Sequence, residues 1–169
     1  LPDEVQREIA ESVRQAPVNR YPDPSAKELR REIADLWGMD PDAMILGNGS
    51  DELIQAVLLA FGGPVVFPVP TFAMYDITSQ ALTERSAAVP LGKDFSLDPD
   101  RLIRKARQVR AKVVFLANPN NPTGNRFSED AVRKVLNSLN AAVVVDEAYY
   151  SFSGRTWLPE LGRHPNLII

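Results

Sequence analysis

Short apolar runs alternate along the chain with segments in which apolar residues recur every three or four positions. The first pattern predicts β-strands and the second predicts amphipathic helices. The predicted strands are Met44–Leu46, Val65–Phe67, Ser86–Val89, Val113–Ala117, Ala141–Val145 and a last one that begins at Leu167. The predicted helices are Glu4–Gln15, Ala26–Trp37 with Ser25 as N-cap, Asp51–Phe61, Phe72–Leu82, Pro99–Val109 and Ser128–Asn140 with Ser128 as N-cap. Because strands alternate with crossover helices, we predict an α/β fold, a three-layer αβα sandwich with a mainly parallel sheet.

Composition excludes several classes of partner. The 169 residues are 44% hydrophobic and 24% charged with a net charge of −3, so no basic excess indicates nucleic-acid binding. No apolar run approaches the roughly 20 residues that span a bilayer, so we expect no membrane partner and a cytoplasmic location. Cysteine is absent and the single histidine, His164, lies in a turn-like segment before Pro165, so no metal site is expected.

Three polar clusters each follow a predicted strand. They are Gly47–Asp51, Asn118–Gly124 and Asp146–Tyr149. In a parallel sheet these clusters share the carboxyl edge, which is where open α/β sheets bind ligands. The sequence therefore predicts a ligand site built from all three.

Taken one at a time, the first two clusters have two interpretations each. Gly47–Asp51 leads into a helix, so its free N–H groups suit a phosphate, but a plain N-cap role for Ser50 or Asp51 is the commoner explanation of such a segment. Asn118–Gly124 offers directed amide hydrogen bonds to a ligand, but asparagine and proline also favour such a turn for conformational reasons.

Asp146 has three possible roles. An acid that directly follows the buried run Ala141–Val145 is costly to place without a partner. Asp146 could cap a helix, or it could bind Mg²⁺ in a nucleotide-binding module. It could also pair with the protonated nitrogen of a heterocycle, and Tyr149 would then reach the same ring. The Gly47–Ser50 loop lacks the lysine of nucleotide-binding loops, which argues against the second role.

Five segments together resemble the motifs of the fold-type I pyridoxal-phosphate aminotransferases, and within that group they are most similar to the histidinol-phosphate aminotransferases. The segments are Asn19–Pro22, Gly47–Asp51, Pro70–Tyr75, Asn120–Gly124 and Asp146–Tyr149. The resemblance implies pyridoxal 5'-phosphate as cofactor and the fold of the large domain of these enzymes. It implies transamination between histidinol phosphate and 2-oxoglutarate, that is, an amino donor and a 2-oxo acid.

The same resemblance assigns roles to individual residues. Asp146 would pair with the pyridinium nitrogen, so that the ring accepts electrons from the substrate. Asn121 and Tyr149 would bind the phenolic oxygen of the ring. Phe72 would stack on the ring, at a position where many relatives carry tyrosine.

Four further residues complete the site that the resemblance implies. Gly49, Ser50 and Asp51 would hold the cofactor phosphate. Tyr21 would reach the phosphate in the other subunit of a homodimer, so the active site would be shared. Asp146 and Tyr149 are the two residues expected to take part in catalysis.

One feature of the family has no match in this chain. The lysine that forms the Schiff base follows the strand after the Asp-Glu-Ala-Tyr motif, and none of the five lysines fits that place; these are Lys27, Lys93, Lys105, Lys112 and Lys134. We therefore expect residues 1–169 to be part of the large domain, with the lysine, the small domain and the amino-terminal arm outside. Gly63-Pro64 is also expected to mark a shortened loop.

Other functions remain open from the sequence. Aromatic and aspartate aminotransferases and threonine-phosphate decarboxylases share these motifs. A non-catalytic scaffold without the lysine is a further alternative.

Overall fold

The computed structural model describes residues 1–169 and divides into two units, Leu1–Leu46 and Gly47–Ile169. The helices are α1 (Asp3–Gln15), α2 (Lys27–Trp37), α3 (Ser50–Phe61), α4 (Met74–Ala81), α5 (Pro99–Val109), α6 (Glu129–Ser138) and α7 (Tyr150–Ser153). Short 3₁₀ turns lie at Pro41–Ala43 and Leu158–Glu160. The strands are β1 (Val65–Val69), β2 (Ser86–Pro90), β3 (Val113–Ala117), β4 (Ala142–Asp146) and β5 (Leu167–Ile168).

All five strands of the second unit pair in parallel, in the order β2-β1-β3-β4-β5. Alternate residues of each strand point to opposite faces, so Val114 packs with α5 and α6 while its neighbour Phe115 packs with α3 and α4. Each such fully buried apolar side chain contributes about 1.5–3 kcal/mol to folding. The predicted three-layer α/β sandwich is therefore confirmed.

The strand order reverses direction between β1 and β3, which creates a switch point in the sheet. Pairing of β1 with β2 continues to Val69, whereas its pairing with β3 is confined to Val65 and Val66. Pro68 has no N–H to donate to a neighbouring strand. The carboxyl ends of β1 and β3 are thus not joined by a ladder, and a crevice is open between them.

Two predictions about the first unit are wrong. Met44–Leu46 forms no strand: it is extended after the 3₁₀ turn, it pairs with no other strand, and Ile45 is 68% exposed. The cluster at Gly47–Asp51 therefore follows an unpaired segment. Ser25 is not the N-cap of α2 either.

Asp23 takes the capping role that was predicted for Ser25. Its carboxylate accepts hydrogen bonds from the Ser25 hydroxyl at 2.6 Å and from the N–H of Lys27 at 3.1 Å. The Ser25 hydroxyl bond is the largest cause that lowers the pKa of this exposed carboxyl to about 2. Aspartate is as good a cap as serine, and the sequence pattern does not distinguish the two positions.

The remaining helix boundaries agree with prediction to within a few residues. The largest differences are two residues: α4 begins at Met74 rather than Phe72, and α6 ends at Ser138 rather than Asn140. Ser128 caps α6 as predicted and accepts a hydrogen bond from the N–H of Ala131 at 3.2 Å. No helix is both long and apolar enough to cross a membrane.

Candidate active site

A cavity of about 260 Å³ lies at the carboxyl edge of the sheet. Its lining residues come from the ends of β3 and β4, the segment after β1 and the start of α3. They are Ser50, Phe72, Ala117, Pro119, Asn121, Asp146, Ala148 and Tyr149. Five of the eight residues predicted to bind a cofactor therefore line one cavity, namely Ser50, Phe72, Asn121, Asp146 and Tyr149.

Asp146 is the last residue of β4 and lies opposite Ala117 of β3. Its two carboxylate oxygens each accept a hydrogen bond from the protein. The Tyr75 hydroxyl donates to Oδ2 at 2.6 Å, and the Ala148 N–H donates to Oδ1 at 3.0 Å. Because each carboxylate oxygen has two lone pairs, the acid retains acceptor capacity toward the cavity.

The asparagines of the Asn118–Gly124 loop divide into structural and free side chains. The Asn120 side chain is buried and hydrogen-bonds the Pro70 carbonyl at 3.0 Å and the Thr71 hydroxyl at 2.8 Å, which ties the loop to the end of β1. Asn121 lines the cavity and its amide makes no hydrogen bond to the protein. The conformational interpretation of this loop thus applies to Asn120, while ligand binding by Asn121 stays a prediction.

Two aromatic side chains border the cavity. Phe72 packs edge-on against Tyr75, with ring centroids 5.7 Å apart and planes at 87°. Tyr149 is 44% exposed, and its hydroxyl makes no hydrogen bond to the protein. A planar ligand that enters here meets an apolar ring from Phe72 and a free hydroxyl from Tyr149.

The start of α3 supplies free backbone donors at the same cavity. Gly49 precedes the helix at φ 87°, and no side chain caps the helix. The plain N-cap interpretation for Ser50 or Asp51 is therefore not what the structure shows. The Ser50 side chain lines the cavity and makes no hydrogen bond to the protein, whereas Asp51 is exposed and does not line it. A helix start of this kind favours an anion.

Other residues of interest from the sequence do not line this cavity. Tyr21 belongs to the first unit and is fully exposed. No lysine lines the cavity. No group of three or more histidine, cysteine, aspartate or glutamate side chains forms a possible metal site.

Sequence reasoning missed two residues that shape the site. Tyr75 belongs to a predicted helix and to the Pro70–Tyr75 segment, which gives it no role of its own, yet it is fully buried and bonds Asp146. Glu147 accepts the N–H of Trp157 at 2.6 Å, and burial raises the pKa of its carboxyl. An acid at the end of a buried strand needs a donor, so a partner for Asp146 was to be expected, but the sequence does not identify that partner as Tyr75.

The sequence profile of the family described as aminotransferase class I and II matches residues 1–169. The chain belongs to this aminotransferase family. Aminotransferases of this family depend on pyridoxal 5'-phosphate.

Individual members of the family resemble the chain closely. Histidinol-phosphate aminotransferase from Caldanaerobacter subterraneus is 40% identical over 172 residues, which cover 100% of this chain and 49% of that protein. The chain thus spans about half the length of the curated relatives it matches.

Solved structures share the fold. Histidinol-phosphate aminotransferase from Sinorhizobium meliloti, in complex with pyridoxal-5'-phosphate, superposes with a TM-score of 0.77 at 27% identity over 88% of this chain and 41% of its own. L-threonine-O-3-phosphate decarboxylase from Porphyromonas gingivalis gives a TM-score of 0.73 at 25% identity over 89% of this chain and 46% of its own.

Proposed function

We propose that the full-length protein, meaning one that includes this chain and spans the whole length of its curated relatives, is a pyridoxal-phosphate aminotransferase that acts on histidinol phosphate and 2-oxoglutarate. The observation that carries the proposal is the single cavity that joins Asp146, Asn121, Tyr149, Phe72 and Ser50. The names of the relatives near 40% identity support the choice of substrate. A homodimer and a cytoplasmic location belong to the same proposal.

The donor set of the cavity fits this cofactor. When bound, the cofactor supplies an electron-poor ring that stabilises negative charge on the substrate. Asp146 offers a carboxylate to the ring nitrogen and keeps a proton there. Asn121 and Tyr149 offer the amide and hydroxyl that no protein group uses, and these suit the phenolic oxygen.

The remaining contacts suit the other parts of the cofactor. Phe72 offers an apolar ring for the face of the heterocycle. The phosphate suits the uncapped start of α3, with the N–H groups of Ser50 and Asp51 and the Ser50 hydroxyl. The N–H of Gly49 donates to the Gly47 carbonyl at 3.0 Å, so Gly49 would contribute the turn of the backbone rather than a donor. The role of Tyr21 at the phosphate of the other subunit is part of the proposal and is supported by the resemblance alone.

Asp146→Ala in the full-length protein tests the proposal directly. We expect turnover to fall by roughly 10²–10³-fold, because the charge partner of the ring is lost where negative charge develops. Cofactor affinity, followed by the visible absorbance of the bound cofactor, should change much less. Asp130→Ala removes an exposed carboxylate from α6 and serves as the matched control. Near-normal turnover in Asp146→Ala, or a wild-type protein whose absorbance does not change with cofactor, would show the proposal to be wrong.

A decarboxylase is the second candidate, because a threonine-phosphate decarboxylase shares the fold at 25% identity. Product analysis separates the two reactions. The aminotransferase yields a new amino acid from the 2-oxo acid, whereas release of CO₂ without an amino acceptor establishes the decarboxylase.

A further inference from the structure

Tyr75 joins the interior of the protein to the acid of the candidate site. It lies in α4, it is 0% exposed, and its hydroxyl reaches Oδ2 of Asp146 at 2.6 Å, 71 positions along the chain. None of its atoms lines the cavity. The residue therefore acts on the site through Asp146.

Aromatic packing fixes the Tyr75 ring. It stacks on Phe115 of β3 with centroids 4.6 Å apart and planes within 5°. It also makes an edge contact with Phe72 at 5.7 Å and a tilted contact with Phe67 at 6.2 Å. A ring held from three sides has no room to change rotamer. The hydroxyl therefore stays at Asp146.

The hydroxyl can serve only as a donor in this pair. Burial, followed by the charge of Asp146, raises the pKa of Tyr75 well above its ordinary range, so the phenol stays protonated. An O–H bond to a carboxylate is short and directional, so it holds the carboxylate in one orientation. The N–H of Ala148 acts in the same way on Oδ1.

We propose that Tyr75 is a positioning residue: its hydroxyl holds the Asp146 carboxylate in one orientation toward the cavity, so that the proton shared with the cofactor stays on the ring nitrogen. The proposal rests on the proposed function, since it requires the cofactor ring at Asp146. It adds a residue of the hydrophobic core to the groups that control the cofactor.

Loss of the Tyr75 hydroxyl should change the protonation of the ring nitrogen in a defined direction. In Tyr75→Phe the carboxylate loses one of its two donors and is free to turn. A carboxylate that no longer points at the ring nitrogen holds the proton there less well. The ratio of protonated to unprotonated nitrogen should fall about tenfold, as expected for one hydrogen bond to a charged group.

The test measures the ring nitrogen itself. The full-length protein is loaded with pyridoxal 5'-phosphate labelled with ¹⁵N in the ring, and the nitrogen chemical shift is recorded at one neutral pH. Tyr75→Phe should move the signal toward the unprotonated value. Ser79→Ala is the matched control, because its hydroxyl is also buried in α4 but bonds the Tyr75 carbonyl at 2.6 Å rather than Asp146. Its signal should coincide with that of the wild type.

A second variant keeps the proposal testable if Tyr75→Phe does not fold. Site-specific 4-fluorophenylalanine at position 75 retains the ring and fills the space of the hydroxyl but cannot donate a hydrogen bond, so the signal should move in the same direction as in Tyr75→Phe. An unchanged signal in the position-75 variant that folds, or an equal shift in Ser79→Ala, would overturn the role of Tyr75. A wild-type protein that gives no bound-cofactor signal would instead refute the proposed function, so the two failures are distinguishable.

Discussion

Adjacent asparagines in the loop after β3 differ in what their amides contact. Asn120 satisfies the Pro70 carbonyl and the Thr71 hydroxyl inside the protein, whereas Asn121 turns a free amide to the cavity. Buried polar groups are costly unless they are paired, so the first amide contributes to folding. The second contributes only when a ligand is present.

Substitution of the two asparagines should therefore separate stability from binding. Asn120→Ala leaves the Pro70 carbonyl unpaired and should lower the free energy of unfolding by about 1–3 kcal/mol. Asn121→Ala should leave stability nearly unchanged and weaken cofactor binding roughly tenfold. Urea unfolding of the cofactor-free, full-length protein and a cofactor titration measure the two effects. Equal losses of stability in both variants would contradict this division.

Residue-level prediction from sequence succeeded where the backbone pattern alone places a side chain. Asp146 follows an unbroken apolar run, so its place at the carboxyl edge of the sheet could be predicted. The partner of Asp146 could not, because Tyr75 lies 71 positions away and contacts it only after α4 packs on the sheet. The residue pattern alone does not distinguish Asn120 from Asn121 either; only the resemblance does, by assigning the ring contact to Asn121.

At the scale of elements, the position of α3 depends on one glycine. Gly49 has φ 87° and ψ 169°, a conformation that is essentially restricted to glycine, and the space where a Cβ would stand is open. A side chain at this position would clash with nothing, so the only energetic cost of a substitution is the strain of the backbone conformation. The glycine thus sets the direction of the first N–H groups of α3.

Gly49→Ala should for this reason disturb phosphate binding. We expect the strain, about 1–3 kcal/mol, to be relieved by a shift of the first turn of α3 and cofactor affinity to fall roughly tenfold. Gly38→Ala is the control: Gly38 also has a positive φ, 65°, and open space, but it ends α2. Thermal unfolding should show lower stability for both variants. A cofactor titration should show lower affinity for Gly49→Ala alone. A Gly38→Ala variant that also loses cofactor would argue against a local effect.

Element-level prediction failed where an element depends on pairing. The strand at Met44–Leu46 was predicted from three apolar residues, yet no strand of the sheet pairs with it and Ile45 is 68% exposed. Apolar character marks a segment that can pair, and pairing requires a neighbouring edge. The longer runs at β3 and β4 lie inside the sheet, so their prediction held.

At the scale of the molecule, Tyr21 raises the question of how many chains build one site. It is fully exposed in a unit separate from the one that holds the cavity. The proposed homodimer gives this exposed phenol a role at the cofactor phosphate of the other subunit. Tyr21→Phe should then lower cofactor affinity without affecting the stability of its own subunit.

Mixed dimers test whether Tyr21 acts across the interface. The mixed dimer pairs a Tyr21→Phe subunit with an Asp146→Ala subunit. If the tyrosine acts at the site of the other subunit, both substitutions lie in one site and the second site is complete. Random reassociation gives mixed dimers in about half of the population, so about one quarter of the wild-type sites should return. Turnover at limiting cofactor, compared with each variant alone, measures the recovery. If Tyr21 instead acts within its own chain, each site of a mixed dimer carries one defect and no activity returns. The absence of recovery in mixed dimers would therefore assign Tyr21 to the site of its own subunit and remove the shared site from the proposal.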